Sequence, residues 1–307
     1  MISLISPSEI KNPTSIAIGS FDGLHAGHRK LIKSVVEDNL YTPTIASFWP
    51  HPREVLYKET RLRLDLPEEK LPILEDLGIE QLVLIPFNKE LSRLSAERFV
   101  RDILINQLQA KNISVGANFK FGFKRSGDIN TIKNMVKDTD IKLKITPILE
   151  DKEGRISSSR IRYLLEKSDL KNAFKILKRP YSFNGKVVKG KGIGESIGWP
   201  TANLEIDGRK FLPGEGVYAA WTTIENSNKK IESIMNLGSQ PTINPLLPSA
   251  VEVHLINKDI DLYGLNLSVE PVEKLRSQIK FNNIKQLSSQ IKNDRDNALR
   301  IFKNYKK

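Results

Sequence analysis

The sequence predicts an α/β chain with an N-terminal doubly wound parallel sheet, followed by a small antiparallel β-barrel domain with a C-terminal helix. Three observations predict it. Over residues 1–178 short apolar runs alternate with amphipathic helical stretches, the pattern of strand–helix–strand units and a parallel sheet. From residue 181 onward, strand-like runs come every 10–15 residues with Gly and Pro between them, which suits a small barrel or sandwich. One amphipathic stretch then closes the chain. A length of 307 residues allows about two domains. The change of character falls at Lys178-Arg179-Pro180, dividing the chain into residues 1–179 and 180–307.

In the first half, Ser15–Ile18 is a strand candidate. His28–Leu40 reads as a helix, with Leu31, Ile32, Val35, Val36 and Leu40 on one face. Thr44–Phe48 is a second strand, Glu68–Leu77 a helix, Gln81–Phe87 a buried strand and Ala96–Leu108 another helix. Ile113–Val115 and Lys142–Leu149 complete the strands. Ser157–Leu177 reads as one long helical stretch, with Ser157 or Ser158 placed to cap it. In the second half the strands are Tyr181–Val188, Ala202–Ile206, Val217–Ile224, Lys230–Asn236, Ala250–Ile256 and Leu265–Val272. Ile284–Tyr305 is the closing helix.

Composition narrows the function. Apolar residues at 39% and charged residues at 27% exclude collagen, mucin and wholesale disorder. The absence of cysteine excludes a disulfide scaffold, a thiol nucleophile and a Cys-based metal centre. The first residues lack the basic-then-apolar pattern of a secretory signal, and no apolar run approaches the roughly 20 residues that span a bilayer. The expectation is a cytoplasmic protein with no membrane partner. Net charge is 48 − 36 = +12, spread evenly: residues 181–307 carry 18 − 13 = +5 and the rest +7. With no basic block of nucleic-acid length, the charge reads as a solvated surface favouring small anions.

The strongest local signal is Gly19-Ser20-Phe21-Asp22-Gly23-Leu24-His25-Ala26-Gly27-His28, between a strand and a helix. Glycines there allow a ligand close to the backbone, and the helix start favours phosphate. Two imidazoles three residues apart can both donate to charge that develops in phosphoryl transfer. H-x-G-H in this context resembles the nucleotidyltransferase superfamily, whose Rossmann-like fold also serves class I aminoacyl-tRNA synthetases. Its partner motif, a Ser-rich turn before a late helix, is matched by Arg155-Ile-Ser157-Ser158-Ser159-Arg160-Ile-Arg162. Between them stand Phe48-Trp-Pro-His51-Pro52 and Val115-Gly-Ala-Asn118-Phe-Lys-Phe-Gly122-Phe-Lys-Arg-Ser-Gly127-Asp128. Together these four segments resemble the FMN adenylyltransferase module of the bacterial bifunctional riboflavin kinase/FAD synthetase family. The resemblance implies that His25 and His28 stabilise the ATP phosphates during transfer. It further implies that residues 19–23 and Asn118 bind ATP and that Ser158, Ser159 and Arg162 hold its β- and γ-phosphates. His51, between two prolines, is open to two readings: a contact with flavin or phosphate, or a packing residue.

The second signal is Gly185-Lys-Val-Val-Lys-Gly190-Lys-Gly192-Ile-Gly194-Glu195-Ser-Ile-Gly198-Trp199-Pro200-Thr201-Ala-Asn203. Its glycines suit a loop over phosphate, and Thr201 and Asn203 offer oxygen ligands suited to Mg²⁺. In Val251-Glu252-Val253-His254-Leu255, alternation puts Glu252 and His254 on the polar side of a strand. These segments, with Gly216-Val-Tyr218, Asn236-Leu-Gly-Ser-Gln-Pro241-Thr242 and Leu262-Tyr263-Gly264, occur in the order found in riboflavin kinases. The resemblance implies that Gly190, Gly192, Gly194, Thr201 and Asn203 hold MgATP. Glu252 would be the general base for the ribityl hydroxyl, and Arg276 would contact flavin. Three departures stand out: Glu195 for a usual Arg, Trp199 for a usual Phe, and Gln278 for a usual Glu.

The expected protein makes FMN and then FAD from riboflavin, with two ATP and Mg²⁺, and its partners are small molecules. Two other readings are an FMN adenylyltransferase with an impaired kinase half, motivated by Glu195, and a synthetase-like or RNA-binding protein, motivated by H-x-G-H and the basic charge.

Overall fold

A computed structural model describes residues 2–38, 40–59, 62–190, 194, 197–238, 251–258 and 260–305. The chain forms two compact units, Met1–Arg61 with Asp65–Ser158, and Leu62–Leu64 with Ser159–Lys307.

The first unit contains β1 (Ser3–Ile5), β2 (Thr14–Ile18), α1 (Ala26–Val36), β3 (Thr42–Trp49), α2 (Pro52–Tyr57), α3 (Pro67–Asp76) and β4 (Gln81–Pro86). It continues with α4 (Lys89–Ser92), α5 (Ala96–Arg98), β5 (Ala110–Gly116), α6 (Ile129–Val136) and β6 (Lys142–Thr146). A small hairpin of β7 (Glu150–Asp151) and β8 (Gly154–Arg155) follows. Strands β1 to β6 form one parallel sheet in the order β1-β4-β3-β2-β5-β6. All five residues of β2 are buried, because helices cover both faces. Ala17, Ile45 and Leu82 face Leu31, Ile32 and Val35 of α1 and Leu74 of α3. On the other face, Ile16, Ile18, Ile113 and Val115 meet Phe99, Val100, Leu104, Ile132 and Val136. The order reverses between β2 and β5, which places the ligand crevice of such sheets at the carboxyl ends of those two strands.

Every strand from β2 to β6 is expected from the sequence, whereas β1, the β7–β8 hairpin and the helices α2, α4 and α6 are not. Each is short, and β1 shows no alternation. The helix expected over 96–108 is α5 followed by a π-helix over Phe99–Gln107. The expected strand 142–149 stops at Thr146.

The second unit opens with α7 (Ser158–Glu166, its first residue counted with the first unit) and α8 (Leu170–Leu177). The single helix expected over 157–177 is therefore broken. Ser168 takes a left-handed conformation (φ 59°), its N–H and that of Asp169 close back on the Leu165 and Leu164 carbonyls, and Asp169 caps the new helix by accepting from the Asn172 N–H. The strands are β9 (Phe183–Val188), β10 (Ala202–Glu205), β11 (Gly216–Ile224), β12 (Lys230–Leu237), β13 (Val251–Leu255) and β14 (Asn266–Arg276), and α9 (Ile284–Tyr305) ends the described chain. They close into an antiparallel barrel in the order β10-β13-β12-β11-β14-β9. Val217, Ala219 and Ile234 on its outer surface pack under Ala298 and Phe302 of α9. Their neighbours Tyr218, Ala220, Met235 and Leu237, buried in turn, point to the interior by the two-residue period. Leu62–Leu64 joins this unit as an extended segment. The Arg63 N–H donates to the Arg209 carbonyl (2.6 Å), and the buried Lys210 ammonium donates to the Leu64 carbonyl (2.6 Å).

Candidate active sites

In the first unit, β2 ends at Ile18 and the chain turns through residues 19–25 into α1. Phe21 and Leu24 have positive φ (44° and 42°) and fully buried side chains. Their burial in the core offsets the cost of that backbone geometry. Gly23, at φ 92°, occupies a region closed to other residues. The loop carbonyls are tied back: Lys70 Nζ and Ser47 Oγ both donate to Ser20 O (3.3 Å each), Arg29 Nε to Leu24 O (3.2 Å) and Ser158 Oγ to Asp22 O (2.7 Å). Ser158 is thus brought to the His loop.

His25 caps α1, its Nδ1 accepting from the His28 N–H at 3.4 Å. The two imidazoles stack with centroids 3.7 Å apart and 16° between planes, and Phe21 leans on His28. Burial pushes the His25 pKa down to about 4, with the Asp22 carboxylate opposing and Arg155 adding to the effect. Burial, then His25 and Lys70, hold His28 well below the usual imidazole range. Both rings are therefore neutral at pH 7. A neutral His25 that accepts at Nδ1 carries its proton on Nε2, which is free to donate. His28 Nδ1 is buried and has no hydrogen-bond partner, a state that a ligand would relieve. Asn118 lies exposed just beyond β5, on the other side of the reversal point. His51 follows β3 and caps α2, with Nδ1 accepting from the Arg53 N–H at 3.1 Å. In α7, Arg162 donates from Nη2 to the Leu62 carbonyl (2.9 Å) and lies 5.7 Å from the Phe211 ring centroid.

Lys70 was invisible to the sequence reading. In a run of acidic and basic residues it looks like a solvated lysine, yet it is 5% exposed.

In the second unit a cavity of about 580 Å³ is lined by Lys189, Gly190, Thr201, Asn203, Lys258 and Asp261, among others. It gathers three of the expected phosphate-site residues. A Cβ at Gly190 would collide with the Asn203 amide, so a larger residue there would force that side chain or the loop to move. Gly192 and Glu195 fall outside the described residues, as do Pro241 and Thr242. Lys189, Lys258 and Asp261 were not foreseen, because nothing in the local pattern separates them from surface charge. Register sets the rest. Asn203 on β10 pairs with Glu252 on β13, and Glu252 pairs with Asn236 on β12. The three side chains form a polar row across the barrel's outer face, with buried Val251 and Val253 pointing the other way. Gln278 donates to Asn236 Oδ1 (2.8 Å) and to the Leu237 carbonyl (2.9 Å). Arg276 forks onto Asp294 of α9 through Nε (3.0 and 3.1 Å) and Nη2 (2.9 Å).

A doubly wound sheet with a stacked His pair at the start of α1, followed by a closed barrel with a cavity lined by Gly190, Thr201 and Asn203, makes a two-module fold suited to phosphate chemistry. Residues 7–160 match the FAD synthetase family and residues 177–302 the riboflavin kinase family. The chain is 34% identical over 305 residues to a bifunctional riboflavin kinase/FMN adenylyltransferase of Buchnera aphidicola subsp. Schizaphis graminum, covering 97% of this chain and 95% of that protein. It is 34% identical over 301 residues to the Bacillus subtilis protein of the same description (95% and 93% covered) and 31% identical over 292 residues to that of Escherichia coli K12 (94% and 92%). A crystal structure described as a macrolide-efflux protein from Streptococcus pneumoniae superimposes with a TM-score of 0.83 at 29% identity, over 96% of this chain and 98% of that one. The chain belongs to the bifunctional riboflavin kinase/FMN adenylyltransferase family. Among the described residues, no helix is long and apolar enough to cross a membrane.

Proposed function

We propose that the two reactions of this bifunctional transferase, phosphorylation of riboflavin to FMN and adenylylation of FMN to FAD, run at two separate sites assigned as follows. Residues 1–179 carry the adenylylation and residues 180–307 the phosphorylation. The division is supported by the separate family matches over 7–160 and 177–302.

For adenylylation, the FMN phosphate is already ionised near neutral pH and attacks the α-phosphorus of ATP in line. Pyrophosphate leaves, and no base is needed. The task of the site is positioning and charge stabilisation. His25 and His28 donate hydrogen bonds to phosphate oxygens as charge shifts toward pyrophosphate. The loop 19–23 and Asn118 bind ATP, while Ser158, Ser159 and Arg162 hold its outer phosphates. His51 contacts the flavin at the end of β3.

Phosphorylation starts from a neutral alcohol. Glu252 removes the proton of the ribityl 5′-hydroxyl as the oxygen attacks the γ-phosphorus and ADP leaves. Gly190, Gly192 and Gly194 lie against the phosphates. Thr201 and Asn203 supply two neutral oxygens, a set that would hold a Mg²⁺ together with ATP. Bound there, Mg²⁺ would supply charge neutralisation to the ATP phosphates. Arg276 meets the flavin with the Nη donors that Asp294 and the Ser277 carbonyl leave over. The enzyme works in the cytoplasm, where its nucleotide substrate is made and used.

The single observation that carries this reading is the pairing of the stacked, neutral His25–His28 cap in one unit with the Thr201–Asn203–Glu252 arrangement in the other. The test is a time course with riboflavin, ATP and Mg²⁺, with flavins separated by HPLC. FMN appears first and FAD later. His28→Ala abolishes FAD formation and spares FMN formation, and Glu252→Ala does the reverse when FMN is supplied. Loss of both activities from either change in a folded protein refutes the assignment.

A further inference from the structure

His254 lies two residues beyond Glu252 on the same outer face of β13, opposite Ile234 of β12. Its Nδ1 is 2.8 Å from the carbonyl oxygen of Pro200. A carbonyl only accepts, so Nδ1 carries the hydrogen and the ring donates. The bond ties β13 to the loop that enters β10, across 54 residues of chain. The preceding residue, Trp199, is held on three sides. His254 meets it edge-on (centroids 5.3 Å apart, 70° between planes), the Arg295 guanidinium lies 5.5 Å from its ring centroid, and its Nε1–H donates to Ser288 Oγ at 3.2 Å. Ser288 and Arg295 both stand on α9.

The Pro200 carbonyl and the Thr201 amide belong to one rigid peptide plane. Fixing the carbonyl direction fixes the rotation of that plane, and with it the direction in which the Thr201 side chain leaves the backbone. Pro200, Thr201 and Asn203 line the 580 Å³ cavity, and His254 is not among its lining residues. It acts through the bend, not on the ligand.

We propose that His254 is a positioning residue for the kinase reaction: its hydrogen bond to Pro200, braced by Trp199 against α9, aims Thr201 and Asn203 at MgATP. The proposal rests on the assignment of Thr201 and Asn203 to MgATP made above.

Three variants of the full chain test it. His254→Asn places an amide N–H where Nδ1–H stands. His254→Phe keeps a ring against Trp199 and removes the donor. Thr201→Ala probes the cradle itself. Kinase kinetics are measured against MgATP and riboflavin, with adenylylation of supplied FMN as a control. His254→Phe raises the KM for MgATP about tenfold, the size of one net hydrogen bond, and leaves kcat and the riboflavin KM within about twofold. His254→Asn restores the MgATP KM to within about threefold of the parent. Adenylylation is unchanged in both. A parental KM in His254→Phe, equal impairment in both His254 variants, or an effect confined to the riboflavin KM overturns the proposal. A raised MgATP KM in Thr201→Ala beside a normal His254→Phe removes the role of His254 alone. An unchanged KM in Thr201→Ala overturns the cradle assignment. If His254→Phe no longer binds riboflavin, as read by quenching of flavin fluorescence, His254→Asn decides: near-parental kinetics uphold the donor role, and a failure to bind overturns it.

Discussion

Acid should weaken the first unit through His25 in particular. Its pKa, near 6.5 in the unfolded chain, is held at about 4 in the fold. Above pH 6.5 neither state binds a proton there, and the stability is full. As pH falls below 6.5 the unfolded chain takes up a proton that the native imidazole refuses, so stability drops until about pH 4 and then levels. A difference of 2.5 units is worth about 3 kcal/mol in total, of which about 2 kcal/mol is lost by pH 5. The perturbation is His25→Asn. Asparagine caps helices well and does not titrate, so the variant keeps the cap and loses the pH term. The chain has two units, and a single unfolding transition would mix them. Hydrogen exchange at the amides of β2, β3 and β5 reports the first unit alone. Between pH 7 and pH 5 their opening free energy should fall about 2 kcal/mol further in the parent than in His25→Asn. Parallel falls in the two proteins would show that His25 is solvated and charged in the native state, and the neutral-donor account of adenylylation would go with it.

Other changes have equally definite outcomes. Glu252→Gln keeps the shape of the polar row and removes the base, so kinase kcat should drop about 10²–10⁴-fold while adenylylation, followed by FAD appearance, is unaffected. Gly190→Ala puts a Cβ into the Asn203 amide, and the displaced loop should cost the kinase about 100-fold in kcat/KM. Asp294→Ala leaves the largely buried Arg276 without its fork, at about 3–5 kcal/mol. Calorimetry should show the transition of the second unit lowered by about 10 °C, with adenylylation retained. Chelating Mg²⁺ with excess EDTA should stop FMN formation, and added Mg²⁺ should restore it.

Much of this molecule is legible in the order of its residues. The Gly19–His28 segment announces itself because its parts are neighbours in the chain: a buried strand, a glycine-bearing turn, and two imidazoles at the start of a helix. The Gly190–Asn203 segment does the same. The alternation of Val251–Leu255 assigns Glu252 to a polar face without any structure, and the helix over Ile284–Tyr305 follows from its apolar stripe alone. These features depend on local geometry, where a period of two or 3.6 and the chemistry of a turn suffice.

What the tertiary structure decided depends on partners far apart in sequence. The two histidines read as phosphate ligands in the chain, but only burial, with Arg155 near His25 and Lys70 near His28, keeps both rings neutral. Barrel register, not spacing, sets Asn203 beside Glu252 and Glu252 beside Asn236. Arg276 looks like a free cation until Asp294 of the last helix meets it, and His254 looks like a solvated strand residue until the Pro200 carbonyl arrives. A periodic pattern could not show that Ser168 breaks the helix over 157–177, because its apolar positions continue through the turn. Sequence carries the identity of each chemical group, whereas charge state, partner and aim come from distance and exclusion of water, which exist only after the chain has closed on itself.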